Sequence, residues 1–200
     1  MRTTDVPGPH GPVPVRIYEP PGPARAALLW AHGGGFRHGD LAMPEADMVG
    51  AELASAGAAL ALATAVRARD TGRRTPDVLL LAYPFVHFPV PTLGLDRTLA
   101  SIEDMVRNYV GRISDLPPDA LPGAARLDAL APTHILLSEH DDLRPSGELL
   151  GRQLREAGVP VTTHLARGTT HGHLNRPADH PEGVEQSLVY LAGALMPAGR

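Results

Sequence analysis

Residues 133–165 read THILLSEHDDLRPSGELLGRQLREAGVPVTTHL, and this stretch decides the fold class. The apolar run at 133–138 predicts a buried strand, and residues 146–157 predict a helix that Gly158 closes. A second strand is predicted at 159–165. Strands that alternate with helices are typical of a parallel sheet covered by helices, so the C-terminal half predicts an α/β fold.

Further elements are predicted on both sides of this stretch. Residues 13–18 alternate apolar and polar side chains as a half-buried strand does, and residues 26–31 form an apolar run typical of a strand buried on both faces. We expect both strands to join one sheet. Helix-forming residues fill 45–70, which predicts one long helix or two abutting ones. A strand is predicted at 77–83 and a final helix at 183–195.

The region before residue 133 is rich in proline. Residues 85–130 contain only a weak helical stretch at 101–110, and this pattern predicts a lid or connector. The chain has 200 residues, 43% of them apolar, which is the size and composition of one ordinary globular domain. We therefore expect residues 1–200 to form a single domain, with 85–130 as its lid or connector segment.

The composition argues against several classes of partner. The chain has 18 basic and 22 acidic residues, a net charge of −4, and no long basic run that could bind nucleic acid or anionic lipid. It has no cysteine, which excludes disulfides, thiolate metal ligands and a cysteine nucleophile. No stretch approaches the run of about 20 apolar residues that spans a bilayer or resembles a signal peptide. These observations predict a soluble, cytoplasmic protein.

A glycine-rich loop follows the predicted strand at 26–31. It reads HGGGF at 32–36, and glycines allow backbone N–H groups to approach a developing oxyanion without obstruction by side chains. Gly33 and Gly34 are the natural donors. The alternative is an ordinary glycine-rich turn with no chemical role.

Two polar motifs follow the predicted strands of the C-terminal half. SEHDDLRPSGE at 138–148 lies at the carboxyl end of one strand, where α/β folds place functional groups, and GTTHGH at 168–173 follows the next. Taken alone, the first motif is typical of an acidic helix N-terminus, which the helix dipole stabilises. A single histidine is more often a surface or capping residue than a base. The residues by themselves are thus compatible with a catalytic role for each motif and with a purely structural one.

Together, HGGGF, SEHDDLRPSGE and GTTHGH resemble the oxyanion, acid and histidine motifs of the hormone-sensitive-lipase-like carboxylesterases of the α/β-hydrolase family. The resemblance covers most of the chain in order. It implies that Asp141 is the acid that orients the histidine and that His171 is the general base. Within the acid and histidine motifs the chain departs from the family at two places, because Asp142 replaces a usual proline and His173 replaces an expected aromatic residue.

The nucleophile motif of that family, G-x-S-x-G, has no match in the sequence. The nearest stretch is LASAG at 53–57, which has Leu53 in place of the first glycine. The resemblance implies that Ser55 is the nucleophile and that the Ala56 N–H is a further oxyanion donor. The alternative is that Ser55 lies in the tail of the preceding helix, since residues 50–54 are helical in propensity.

Compared with that family, the chain lacks the segment between the helix after HGGGF and the serine. The missing segment includes two central strands beside the one predicted at 26–31. Buried backbone groups that lose their partners cost about 1–3 kcal/mol each, so the remaining strands must pair again or a partner subunit must cover them. We expect a reduced α/β-hydrolase-like fold, with a mostly parallel sheet of about five strands and flanking helices.

These inferences predict a serine carboxylic-ester hydrolase for small acyl esters, with Ser55, His171 and Asp141 as its catalytic residues and no cofactor or metal. Its substrate would be a small ester. We expect no nucleic-acid partner and no membrane span, and association into a homo-oligomer is an open alternative. A second hypothesis is an inactive remnant or interaction protein without a working nucleophile. A third, weaker hypothesis is a metal site formed by His171, His173 and Asp141.

Overall fold

We describe the fold from a computed structural model of the chain. It describes residues 1–19, 22, 27–29, 31, 34, 40–41, 55–89, 92–95, 99–117 and 119–195, and the side chains of Ser55 and Ala56 lie outside the described part. No helix in these ranges is long and apolar enough to cross a membrane. The elements are β1 (Arg2–Gly8), β2 (Gly11–Ile17), α1 (Ser55–Asp70), β3 (Leu79–Ala82), α2 (Leu99–Val110), β4 (Thr133–His140), α3 (Arg144–Glu156), β5 (Val161–Thr170) and α4 (Pro181–Leu195).

The main sheet has three parallel strands in the order β3-β4-β5, which is also their order along the chain. In register, Leu79 pairs with Thr133, and Thr133 pairs with Val161. The strand β4 lies in the middle, and its Ile135 and Leu136 side chains are fully buried because helices cover the sheet. The strand, helix and strand predicted over 133–165 are confirmed, and β5 continues five residues further, to Thr170.

The strands β1 and β2 form a separate antiparallel hairpin. The strand predicted at 13–18 is confirmed as β2, but the expectation that it shares a sheet with residues 26–31 is wrong for the part described. Residues 27–29 and 31 are not in a strand, and the rest of that segment lies outside the described residues. Instead, the alternating residues of β2 pair with β1, as in Val6 opposite Val13. The described residues thus contain five strands in two sheets, but β1 is not one of the predicted strands and no strand is described at 26–31.

The helix α1 begins at Ser55 and packs on β3. Its buried side chains are small, with Ala58 and Ala59 fully buried and Leu62 in the core, so the helix axis can approach the sheet closely. Residues 55–70 of the predicted helix are confirmed, whereas its part at 45–54 lies outside the described residues.

Much of the segment 85–130 is packed into the core. Phe85 and Val86 are fully buried, and the predicted helix at 101–110 is confirmed as α2, with Ile102 and Val106 turned inward. The apolar face of α2 is thus part of the single core cluster that also includes residues of α1 and β3. The role of the segment as a lid or connector stays a prediction.

The helix α3 lies close to β4 at two glycines. A Cβ added at Gly147 would lie 2.5 Å from Leu137 Cδ2 and 3.2 Å from the Pro84 ring, whereas one added at Gly151 would meet its nearest atoms at 3.5 Å or more. Only the first position is therefore too close for a methyl group, since neither Leu137 nor Pro84 has room to move in a packed core.

We expect Gly147→Ala to lower the free energy of unfolding by about 1–3 kcal/mol, because α3 must move away from the sheet. Gly151→Ala is the matched control in the same helix. It should be neutral or stabilise by up to about 1 kcal/mol, since alanine favours a helix and finds ordinary contacts. Urea unfolding of both variants measures the difference, and equal stabilities would contradict the close approach.

Candidate active site

Asp141 and His171 meet at the carboxyl edge of the main sheet. Asp141 follows β4 directly and His171 follows β5, and neighbouring parallel strands end at the same edge. The Nδ1 atom of His171 lies 2.8 Å from Oδ2 of Asp141. The aspartate side chain is 1% exposed and the histidine side chain 16% exposed, so the pair is shielded from bulk water while the imidazole keeps an open edge.

The carboxylate of Asp141 is held on both oxygens. Its Oδ1 accepts the Leu143 N–H at 2.9 Å in the turn that leads into α3, while Oδ2 faces the imidazole. An ionised carboxylate only accepts hydrogen bonds, so the contact favours the tautomer of His171 with its proton on Nδ1. The Nε2 atom has no hydrogen-bond partner among the described residues and can accept a proton.

The backbone around His171 is held by a turn at Gly172 and by hydrogen bonds from the side chain of Arg176. Gly172 has φ +69°, a left-handed conformation that favours glycine. The guanidinium of Arg176 donates from Nη2 to the His171 carbonyl at 2.6 Å and to Thr170 Oγ1 at 3.0 Å. These contacts hold the end of β5 against the turn and limit the rotation of the histidine backbone.

Sequence reasoning missed Tyr83 as a neighbour of the site. It follows β3, is 1% exposed, and its ring centroid lies 5.4 Å from that of His171 and 5.2 Å from that of His173. Its φ of +47° is unusual for a residue other than glycine and is maintained by the surrounding packing. A tyrosine at the end of an apolar run, just before Pro84, was the available signal.

His173 is a buried polar residue behind the site. It is completely enclosed, with Nδ1 3.1 Å from Ser138 Oγ and Nε2 2.8 Å from Ser187 Oγ. Burial and, to a smaller extent, the nearby His180 lower the pKa of His173 from 6.5 to about 4, against an opposing effect of the Thr170 backbone. His171 and Arg176 also lower this pKa, with smaller effects. The ring is therefore neutral at pH 7.

This depressed pKa predicts a loss of stability in mild acid. The unfolded chain takes up the proton near pH 6.5, whereas the folded chain resists it down to about pH 4, so the stabilisation is present above pH 6.5 and is lost as the pH falls through this window. We expect the His173 contribution to fall by about 3 kcal/mol between pH 7 and pH 4. Urea unfolding across this range should show a smaller decline for His173→Gln, and an equal decline would contradict the assignment.

The other predicted site residues are mostly beyond what the structure describes. Gly33 and the side chains of Ser55 and Ala56 lie outside the described residues. Gly34 is described, and it is buried with φ +114°, a conformation that side-chain-bearing residues rarely adopt.

Asp142 serves a different purpose from Asp141. It stands where proline was expected, is 4% exposed, and accepts the Leu95 N–H on Oδ1 at 2.7 Å. This bond ties residues 92–95 to the turn that carries Asp141. Sequence reasoning noted the departure but not the contact, because the two segments are far apart in the chain.

The geometry does not favour the metal hypothesis. His173 directs both ring nitrogens to serines, and His171 directs Nδ1 to Asp141, so the three residues do not converge on one point. Within the described ranges, no group of three or more histidine, cysteine, aspartate or glutamate side chains could hold a metal ion.

The chain is similar to known ester hydrolases. A model of the alpha/beta hydrolase fold family matches residues 50–175. Carboxylic ester hydrolase LipN of Mycobacterium tuberculosis is 32% identical over 186 residues, covering 84% of this chain and 46% of LipN. Carboxylesterase NlhH of the same organism is 33% identical over 158 residues, covering 70% of this chain and 49% of NlhH. The chain thus spans about half the length of these relatives.

A solved structure resembles nearly the whole chain. The esterase of Pyrobaculum calidifontis has a TM-score of 0.81 and 26% sequence identity, and the match covers 98% of this chain and 86% of that one. This agreement supports the α/β-hydrolase fold expected from the motifs, in a shortened form.

Proposed function

Because the chain belongs to the alpha/beta hydrolase fold family, we propose that it hydrolyses carboxylic esters of small acyl groups. His171 is the general base, and Asp141 orients it. The observation that carries this function is the 2.8 Å contact between the two side chains, which leaves Nε2 of His171 available for proton transfer. The ester hydrolases LipN and NlhH, which share about a third of the aligned residues, support the same reaction class.

In the proposed mechanism, Ser55 attacks the carbonyl carbon of the ester. His171 takes the serine proton on Nε2, and Asp141 stabilises the resulting imidazolium. When the tetrahedral intermediate collapses, the C–O bond to the alcohol breaks and His171 returns the proton to the leaving alcohol. A water molecule then attacks the acyl-serine ester, again with His171 as base, which releases the acid and restores Ser55.

The direction of α1 supports this role. The helix packs on β3, and the loop 71–78 joins its end to the start of that strand, so α1 runs antiparallel to the strands of the sheet. Its N-terminus is therefore directed towards the carboxyl edge, where Asp141 and His171 lie. A nucleophile at a turn into a helix can present its hydroxyl at that edge.

The oxyanion donors come from two backbone segments. The proposed donors are the N–H groups of Gly33 and Gly34 from the HGGGF loop and of Ala56 from the first turn of α1. The left-handed conformation of Gly34 supports a tight loop there. The positive end of the α1 dipole is directed towards the carboxyl edge of the sheet and would further stabilise a developing negative charge.

Covalent labelling tests the proposed nucleophile. Incubation of the full chain with a fluorophosphonate probe, followed by peptide mass spectrometry, should locate one label on Ser55. Ser55→Ala should abolish labelling, and His171→Ala should slow it strongly because the base is lost. Labelling of a different serine, or unchanged labelling of the Ser55→Ala variant, would exclude Ser55 as the nucleophile.

A second candidate function is that of a non-catalytic remnant or interaction protein. The observation that favours it is LASAG at 53–57, where Leu53 replaces the first glycine of the nucleophile motif. Folded protein that neither reacts with the probe nor turns over short esters would support it. A cytoplasmic location, self-association and the absence of nucleic-acid partners stay predictions.

A further inference from the structure

The hydrogen bonds of His173 have a single consistent direction. Ser187 Oγ donates its proton to the Gly183 carbonyl at 2.7 Å, as helical serines often do, so it must accept from Nε2–H of His173. The Nδ1 atom is then an acceptor, and Ser138 Oγ–H donates to it at 3.1 Å. Both nitrogens are therefore satisfied by one neutral tautomer, in a ring that is completely buried.

These two bonds join three elements around the proposed base. Ser138 lies in β4, three residues before Asp141, and Ser187 lies in the middle of α4. His173 is separated from His171 only by Gly172. The ring thus fixes the turn that carries His171 to the strand that carries its carboxylate partner.

A second route connects the two histidines through Tyr83. The tyrosine ring packs edge-on to His173 at 5.2 Å and tilted against His171 at 5.4 Å. It also accepts the Leu174 N–H on its hydroxyl at 3.4 Å. Because Tyr83 is enclosed, a displacement of His173 would be transmitted to His171 by direct contact.

We propose that His173 is a positioning residue, which holds His171 at hydrogen-bonding distance from Asp141 through its paired bonds to Ser138 and Ser187. An aromatic hydrocarbon ring in its place would fill the space, but it could not fix the rotation of the turn. The expected effect of His173 on turnover rests on the proposed ester hydrolysis. The expected effect of His173 on the contact between His171 and Asp141 is independent of that proposal.

Variants at the serines separate this role from simple packing. Ser187→Ala removes one anchor with the least change in volume, and alanine suits the interior of α4. Ser138→Ala removes the other anchor. His173→Phe keeps an aromatic ring and removes both bonds. The matched control is Ser146→Ala, because Ser146 is equally buried and bonds to another histidine, His87 Nδ1, at 3.0 Å.

The first measurement does not require activity. Proton NMR of the folded full chain should contain a downfield Nδ1–H resonance of His171, assigned by its loss in His171→Gln. We expect Ser187→Ala and His173→Phe to shift this resonance upfield and to accelerate its exchange with water at least about tenfold, whereas Ser146→Ala leaves it unchanged. If His173→Phe does not fold, the same measurement on Ser138→Ala and Ser187→Ala tests the proposal.

The second measurement is steady-state hydrolysis of a short-chain p-nitrophenyl ester. Ser187→Ala should lower kcat about tenfold and His173→Phe about 100-fold, with KM within about twofold, because only the alignment of the base changes. If the variants at positions 138, 173 and 187 leave the resonance and kcat at the values of Ser146→Ala, the positioning role is wrong. A shifted resonance in a protein without esterase activity would keep this role and reject the proposed function.

Discussion

Replacing His171 with alanine is expected to lower kcat for a short-chain p-nitrophenyl ester by about 10³- to 10⁶-fold. In the proposed mechanism the imidazole takes the serine proton on Nε2, which has no hydrogen-bond partner among the described residues. The side chain is 16% exposed and packs on Tyr83, so the variant's stability must be measured beside its activity. Initial rates and the thermal unfolding midpoint measure both effects.

His140→Ala is the matched control for this loss. His140 ends β4 near the site, but its side chain is 58% exposed and its nearest charged partner, Glu139, lies 3.9 Å away. Its removal should leave kcat within about twofold, as for an ordinary surface change. Added imidazole should restore part of the activity of His171→Ala only, because a small base can enter the space beside Asp141. Full activity without added imidazole would reject His171 as the base.

We expect Asp141→Asn to lower kcat by about 10⁴-fold with little change in shape. The asparagine keeps the volume and can still accept the Leu143 N–H. It cannot stabilise the imidazolium, and an NH₂ group facing His171 favours the tautomer with its proton on Nε2, which is unable to accept the serine proton. Initial rates with the same ester measure the loss, and far-UV circular dichroism checks the fold.

Asp142→Asn is the control for a buried carboxylate at the adjacent position. The Leu95 N–H bonds to Asp142 Oδ1, and an asparagine oxygen can replace that acceptor. Its kcat should fall by less than about tenfold, in proportion to one weakened hydrogen bond. Equal losses at positions 141 and 142 would indicate a shared structural effect and contradict the specific pairing with His171.

The main sheet was predictable because its strands are short, apolar and separated by a helix with clear ends. Residues 133–165 carry these local patterns, and the structure follows them with boundaries shifted by a few residues. The strand β1 was not predictable in this way, since its sequence RTTDVPG contains proline and glycine and is typical of a loop. It is a strand because its backbone pairs with β2. This pairing between two segments is not visible in the composition of either one.

The site was predictable only where a motif carried it. The motifs SEHDDLRPSGE and GTTHGH pointed to Asp141 and His171, which the structure brings into contact. The packing of Tyr83 and the bonds of His173 depend on β3, β4 and α4 approaching one another in space. Such contacts between distant segments leave no local pattern.

The agreement between strand order and chain order has a consequence for how the molecule assembles. The strands β3, β4 and β5 follow one another, with a short crossover between the last two. The strands that position Asp141 and His171 are therefore close along the polypeptide. Loop closure for such neighbours costs little entropy, and this C-terminal block can collapse early. The contact between Asp141 and His171 therefore depends on a block of neighbouring strands and not on segments far upstream in the chain.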